Sequence, residues 1–291
     1  MRILITGHKG YIGSHLFKTL VDLGHEVAGI DLQGCTVEDK ELPGEDICEG
    51  YTIKFYEFTP EVIFHLAAIP RVGYSIDHPV EVMKNNVIST SKTLKLAKHF
   101  SIPVIYSSSS SVVGNGNGPT NPYALSKLCG EMETILYNSL YDIKTVALRY
   151  FNVYSKDQKA EGPYATAVAN WMKYIREGRS PFITGDGSQR RDMAHVNDVV
   201  SANIFCMNNI EKVRGETFDV GTGNNVSLNE MREIVNKILP DVDFDMTPPR
   251  PGEVMVTKAD IKYFKKFGWC AKIDIENGIK ECFNTLKGEK I

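Results

Sequence analysis

Apolar residues fall in short unbroken runs, and longer stretches of helical period separate them. Residues 3–5, 27–30, 62–66, 104–106 and 145–149 each read as a strand that is apolar on both faces, as in a parallel sheet covered on both sides. Between the first two runs, residues 16–23 are amphipathic. A helix is expected over 79–99, with Val82, Asn86, Thr90, Leu94 and Ala97 spaced for one face, and another over 122–140. The alternation predicts βαβ units in an α/β fold. After Tyr150 the pattern loosens. Helices are expected near 165–177, 197–208 and 227–238, a short strand at 217–220 that returns to the sheet, a Pro/Gly loop at 248–252, and two short terminal helices. There are no repeats and no flexible linker. The expected division is a large domain of residues 1–154 plus about 194–222, and a smaller one of about 155–193 plus 223–291.

The first strand ends in glycines. Thr6-Gly-His-Lys-Gly-Tyr-Ile-Gly13 places Gly7, Gly10 and Gly13 between strand and helix, and Asp31 closes the second strand 18 residues after Gly13. Gly7 permits a tight turn, Gly10 lets the backbone approach phosphates, and Gly13 lets helix and strand pack closely. Such a unit sets a pyrophosphate on a helix N-terminus and a ribose on a carboxylate. The spacing is GxxGxxG rather than GxGxxG, and no Gly-Lys-Ser/Thr follows as in a Walker loop. A carboxylate at Asp31 accepts hydrogen bonds from the adenine ribose hydroxyls and repels a 2′-phosphate. No arginine follows closely to rescue one, so NAD is expected over NADP. Asp46 and Ile47 are candidates for the adenine edge and face, with a plain loop as the alternative. The fold implied is a Rossmann-type doubly wound parallel sheet with a smaller C-terminal α/β domain.

Ser107 to Ser111 follow the strand at 104–106 and lie at the carboxyl edge of the sheet, where α/β sites form. Most of these serines should satisfy backbone groups in the turn. Asn121-Pro122 reads as an N-cap followed by proline at the first helical position. Tyr123 then falls in the first turn, with Lys127 one turn later on the same face. A tyrosine ordinarily titrates near ~10. A neighbouring ammonium, the positive helix end and an oxidised nicotinamide would favour the phenolate, making Tyr123 a candidate general base. A surface Tyr/Lys pair is the bland alternative, disfavoured by the glycine loop and serine run that precede it.

Bulk properties remove other classes. The formal net charge is −3 without a long basic run, so no nucleic acid or anionic membrane partner is implied. No stretch approaches the roughly 20 apolar residues of a membrane span. Met1-Arg2 leads directly into a strand, leaving no room for a signal peptide, and a cytoplasmic protein is expected. Six cysteines lie far apart without a CxxC, as reduced thiols rather than a metal site. Asn225-Val226-Ser227 fits a glycosylation sequon by chance.

The chain resembles the extended short-chain dehydrogenase/reductase family, in its nucleotide-sugar epimerase/dehydratase branch. The matching pieces span nearly the whole length: the glycine loop, His65-Leu-Ala-Ala68, Asn85-Asn-Val87, Tyr106 through Gly114, Tyr123-Ala-Leu-Ser-Lys127, Leu148-Arg-Tyr-Phe-Asn-Val-Tyr154, Gly185 through Asp192, and Arg250-Pro-Gly252. The resemblance implies Ser109 as the catalytic hydroxyl, Tyr123 as the base, and Lys127 as both its tuner and a holder of the nicotinamide ribose. It implies cofactor contacts from Gly7, Gly10, Tyr11, Ile12, Gly13, Asp31, Asp46, Ile47, Leu66, Ala67, Ala68, Ser107, Tyr123, Lys127 and Tyr150, with Phe151 flanking the nicotinamide. Ser109 and Ser110 would face the substrate, Asn152 would touch its diphosphate, and Arg191 and Arg250 would clamp it. Planar bidentate donors suit that task, although a solvated salt bridge is the alternative for each arginine. A homodimer through a four-helix bundle of the helices at 79–99 and 122–140 is also implied. The sequence itself shows only that these helices carry apolar residues on more than one face.

Three departures from the family pattern matter. Dehydratases and decarboxylases of the branch carry an acid after the Ser/Thr, and this chain has Ser110-Ser111, which argues for epimerisation. Val113 replaces a frequent tyrosine, and the segment from Asp31 to Asp46 is short, with the usual elements trimmed. The leading expectation is an NAD-dependent nucleotide-sugar 4-epimerase working through a transient 4-keto sugar, with UDP as the commonest nucleotide of the branch. A 4-ketoreductase, usually NADPH-consuming, or a dehydratase is the alternative. A non-catalytic NAD sensor is more remote, because such proteins typically lose the tyrosine or the lysine. Pro70, Arg71, Val72, Tyr154 and residues 252–256 are expected to shape the sugar pocket, without a spacing that names the sugar.

Overall fold

The computed structural model describes every residue except 39, 115, 159, 161–165, 250–253 and 288–291. The chain divides into two compact units. One comprises residues 1–149, 199–218 and 266–269, and the other residues 150–198, 219–265 and 270–291.

The first unit opens with β1 (Arg2–Thr6), α1 (Tyr11–Asp22) and β2 (Glu26–Ile30). β1 and β2 run parallel with Thr6 opposite Ile30, so the glycine loop and Asp31 leave the sheet at one edge. There follow β3 (Cys35–Val37), β4 (Lys40–Leu42), α2 (Ile53–Phe58), β5 (Val62–His65), α3 (Val72–Asp77), α4 (Pro79–Phe100), β6 (Val104–Ser109), α5 (Pro122–Tyr141) and β7 (Thr145–Tyr150). The second unit supplies α6 (Ala167–Arg176), β8 (Phe182–Thr184) and β9 (Arg190–Arg191). After them come α7 (Val196–Asn208), α8 (Ile210–Val213), β10 (Thr217–Val220), β11 (Val226–Ser227), α9 (Leu228–Ile238), β12 (Asp245–Thr247), α10 (Ile261–Phe267) and α11 (Ile275–Asn284).

The main sheet has eight strands in the order β10-β7-β6-β5-β1-β2-β3-β4. β1/β2, β1/β5 and β5/β6 are parallel. The order turns back between β1 and β5, which opens a crevice at their carboxyl ends. The segment expected to be trimmed forms something definite. β3 and β4 make a hairpin that joins β2 antiparallel, with Gly29 opposite Thr36. Its three-residue strands carry Lys40 and Glu41 and give no periodic signal, so the pattern of apolar residues does not reveal them.

Burial follows the periodicity. Val82, Asn86, Thr90, Leu94 and Ala97 of α4 are all buried. Leu4, Ala28, Ile30, Phe55, Ile63, Leu94 and Val104 belong to one apolar cluster. α4 also packs on α5. α5 approaches β6 closely at Gly130, where a Cβ would stand 2.2 Å from the Tyr106 hydroxyl. Elsewhere on these helices Val80, Met132, Ile135, Leu136 and Leu140 remain exposed. In the second unit, Trp171, Met172, Met231, Val235, Ile279 and Phe283 form a separate core. α9 begins with a capping box in which the Ser227 hydroxyl accepts from Glu230 N and the Glu230 carboxylate from Ser227 N. No helix among the described residues is long and apolar enough to cross a membrane.

Candidate active site

The glycine loop leaves β1 through Gly7, whose φ of +74° is left-handed and whose N–H donates to the Ile30 carbonyl at 2.8 Å. A Cβ there would sit 2.8 Å from Ala67 N, so the turn after β1 lies against the chain leaving β5. At Gly13 a Cβ would stand 2.1 Å from the Gly7 carbonyl oxygen. Gly10 precedes α1 in extended conformation, and no side chain caps the helix. An N-terminus so arranged is suited to a phosphate, and Tyr11 and Ile12 are its first two residues.

Polar residues to which the sequence assigns no individual role tie this edge together. Thr6 Oγ1 accepts from Leu66 N and Ala67 N, both at 3.1 Å, and lies 2.7 Å from His65 Nδ1. His65 Nε2 is 3.1 Å from Thr90 Oγ1. Burial, with a smaller push from Lys127, drives the His65 imidazole down to about 3, so it is neutral and serves structure. Asn86 accepts from Ile69 N and donates to the Ile69 carbonyl and to Ser126 Oγ, fixing the strand-end segment beside α5.

On the adenosine side, Asp31 accepts from Lys9 N at 3.2 Å and from Gln33 N at 3.1 Å. The Asp46 carboxylate accepts from Cys48 N within its own turn, and Ile47 is buried in the apolar cluster, so the side chains of that pair are engaged locally.

Ser109 ends β6, and Ser110 begins a 3-10 turn. Asn121 caps α5 by accepting from Ala124 N, and Pro122 opens the helix, as its sequence predicts. Tyr123 is 8 % exposed, with Ser109 close enough to pull its phenol down, while the Ser109 hydroxyl donates to Ser111 Oγ at 3.1 Å. Lys127 is buried below, its ammonium donating to the Ser107 carbonyl at 2.7 Å and lying 5.0 Å from the Tyr106 ring centre. Burial pushes the Lys127 amine down to about 7, against a smaller upward pull from Glu131. Glu131 is itself buried and accepts two bonds from Arg149 and one from Ser108. It stands four residues after Lys127, the one sequence signal that could have found it.

Desolvation adds an effect on Tyr123 that spacing does not report. Burial raises the Tyr123 phenol above its ordinary value, and only Ser109 opposes it. The Lys127 ammonium and the helix end do not make Tyr123 a phenolate in the protein alone.

The second unit carries the remaining residues. Tyr150 ends β7 and Phe151 follows it, both buried. Asn152 adopts φ +30°, and its amide donates to the Asp192 carbonyl at 2.7 Å and to Thr257 Oγ1 at 3.2 Å. A contact from Asn152 to an anion would therefore use its backbone N–H. Asp192 orders the loops around it by accepting from Thr222, Gly223 and Ala259. Arg191 lies on β9 and donates to the Arg190 carbonyl, while Arg190 pairs with Glu230. Arg250 lies outside the described residues.

Comparison with known proteins follows the same lines. Residues 3–221 match the model of the NAD dependent epimerase/dehydratase family. The chain is 33% identical over 308 residues to a putative UDP-glucose 4-epimerase of Methanocaldococcus jannaschii, covering 98% of each chain. It is similar to the crystal structure of a Thermotoga maritima UDP-glucose 4-epimerase with UDP-glucose, at 30% identity, TM-score 0.88 and 99% coverage of both chains. A UDP-N-acetylglucosamine 4-epimerase from Methanobrevibacter ruminantium, in complex with UDP-N-acetylmuramic acid, is 29% identical with TM-score 0.89 and 99% coverage of both.

Proposed function

The chain belongs to the NAD dependent epimerase/dehydratase family, and on that premise we propose that it is a nucleotide-sugar 4-epimerase whose substrate carries UDP. The residues fit the cofactor: Gly7 and Gly13 let the loop fold so closely on backbone that a Cβ at either would collide with it, and the start of α1 has no side-chain cap. Gly7, Gly10, Tyr11, Ile12 and Gly13 would hold the pyrophosphate, Asp31 the adenine ribose, and Lys127 the nicotinamide ribose. Leu66, Ala67, Ala68, Ser107 and Tyr150 would border the path between them. When bound, NAD accepts a hydride from the sugar and returns it.

The chain's own residues move the proton. Tyr123 Oη takes it from the C4 hydroxyl as that carbon is oxidised, and Ser109 Oγ hydrogen-bonds the same oxygen. After the 4-keto sugar turns over, Tyr123 returns the proton to the re-formed hydroxyl of opposite configuration. Lys127 steadies the phenolate from below. Asn152, Arg191 and Arg250 would hold the diphosphate.

The observation that carries this reading is the placement of Ser109 beside Tyr123 and of a buried Lys127 one turn later on α5, in a serine segment that offers no acid to expel a hydroxyl. The exposed apolar residues of α4 and α5 support a homodimer through a four-helix bundle, and a cytoplasmic setting belongs to the same proposal. The test is incubation with UDP-, dTDP- and GDP-sugars, with product stereochemistry read by NMR. Inversion at C4 without added reduced cofactor is expected, with loss of at least about a hundredfold in Tyr123→Phe. Sustained consumption of NAD(P)H would indicate a ketoreductase, and loss of water a dehydratase. Full turnover by Tyr123→Phe would overturn the mechanism.

A further inference from the structure

Lys9 sits inside the glycine loop, and its two ends have different partners. Its backbone N–H donates to Asp31 Oδ2 at 3.2 Å, and its ammonium meets Glu41 Oε2 of the hairpin at 2.7 Å. The side chain crosses the turn that follows Asp31. Lys9 Cε lies 3.7 Å from where a Cβ on Gly34 would stand, and Gly34 N donates to the Asp31 carbonyl at 3.3 Å. Glu41 is held from its other oxygen, with Thr36 Oγ1 donating to Oε1 at 2.8 Å. Thr36 in turn contacts His8 Nε2 at 3.1 Å, and the His8 ring packs on Gly29. The hairpin therefore places a carboxylate beside the lysine of the phosphate loop, next to the acid that closes β2.

We propose that Glu41 is a cofactor-specificity residue, which occupies Lys9 and so denies its ammonium to a 2′-phosphate. Asp31, Glu41 and Lys9 together carry one net negative charge, and a 2′-phosphate arriving among them is repelled. Without Glu41 the three positions are neutral overall and the ammonium is free to pair with the phosphate. Asp31 alone would leave that cation within reach, so the hairpin completes the discrimination that Asp31 begins. The inference rests on the reading that the adenine ribose meets Asp31.

The test is binding of NADH and NADPH to the full-length protein, followed by nicotinamide fluorescence. Glu41→Gln keeps the side-chain shape and the oxygen that accepts from Thr36, so the hairpin stays tied. Its affinity for NADPH should rise about five- to tenfold relative to NADH, the order of effect expected when one charge is removed near a doubly charged phosphate in near-aqueous surroundings. Lys9→Met in the Glu41→Gln background should cancel that gain. Equal changes for both nucleotides in Glu41→Gln, or a gain that survives Lys9→Met, would overturn the proposal. Asp31→Asn separates the premise: if it leaves the NADPH/NADH ratio unchanged while Glu41→Gln moves it, the ribose does not lie on Asp31.

Discussion

Lys127 carries a cost that can be measured. Its ammonium is buried with one hydrogen bond, to the Ser107 carbonyl, and its amine is lowered from 10.5 to about 7 by burial. A fall of roughly 3.5 pH units corresponds to a ceiling of about 5 kcal/mol against the folded state at pH 6. Relaxation around the charge brings the expected cost to about 2–3 kcal/mol. Lys127→Met removes it and forfeits the Ser107 hydrogen bond, worth about 1 kcal/mol at every pH. In nucleotide-free protein at pH 6 the methionine variant should be more stable by about 1–2 kcal/mol, a rise in Tm of roughly 3–6 °C. The folded lysine titrates below the unfolded one. The wild-type penalty is therefore complete below pH 7, shrinks as pH climbs from about 7 to 10.5, and is gone above. Above pH 10.5 the variant should be no more stable than wild type, and lower by about the lost hydrogen bond. Thermal melts of both proteins across this range make the comparison, since groups remote from Lys127 titrate alike and cancel. A gap that is constant with pH, or that favours wild type at pH 6, would refute the claim that the folded protein strains to keep this cation.

Gly13→Ala should abolish NADH binding or folding, because its Cβ would lie 2.1 Å from a backbone oxygen that cannot retreat without opening the loop; fluorescence titration and a melt read the two outcomes. Tyr154 is fully buried, and its hydroxyl has no hydrogen-bond partner among the described residues. Tyr154→Phe should stabilise by about 1 kcal/mol in urea titration, and a loss would show that the hydroxyl is satisfied. Ser227→Ala breaks the capping box of α9 and should cost about 1 kcal/mol, read as a lower urea midpoint at unchanged slope.

The parts of the fold that were legible are those with strong local signals. The apolar runs at β1, β2, β5, β6 and β7 sit where the sequence places them, and the spaced face of α4 is buried residue by residue. Asn121-Pro122 opens α5, so the positions of Tyr123 and Lys127 on that helix follow from sequence alone. The β3–β4 hairpin was not legible, because strands this short and charged are stabilised by pairing with β2 rather than by their own pattern. The shared role of Thr6, His65 and Thr90 was not legible for a related reason: the motifs contain Thr6 and His65, but only the parallel register of β1 with β5 brings Thr6 opposite His65.

The same distinction applies to Tyr123. Spacing puts an ammonium and a helix end near the phenol and invites the conclusion that both stabilise its anion. Spacing does not report desolvation. At 8 % exposure burial raises the phenol, and Ser109 is the neighbour that opposes it. Lys127 is weakened by the same burial, since near pH 7 its amine is only partly charged. A phenolate available near neutral pH therefore needs positive charge that Lys127, only partly charged, does not supply alone, and in the proposed mechanism bound NAD would supply it. It follows that Tyr123 should titrate lower with NAD bound than in the free protein, with the phenolate absorbance shift as the readout. An unchanged Tyr123 titration on adding NAD would leave the buried Tyr123–Lys127 arrangement without its means of activation.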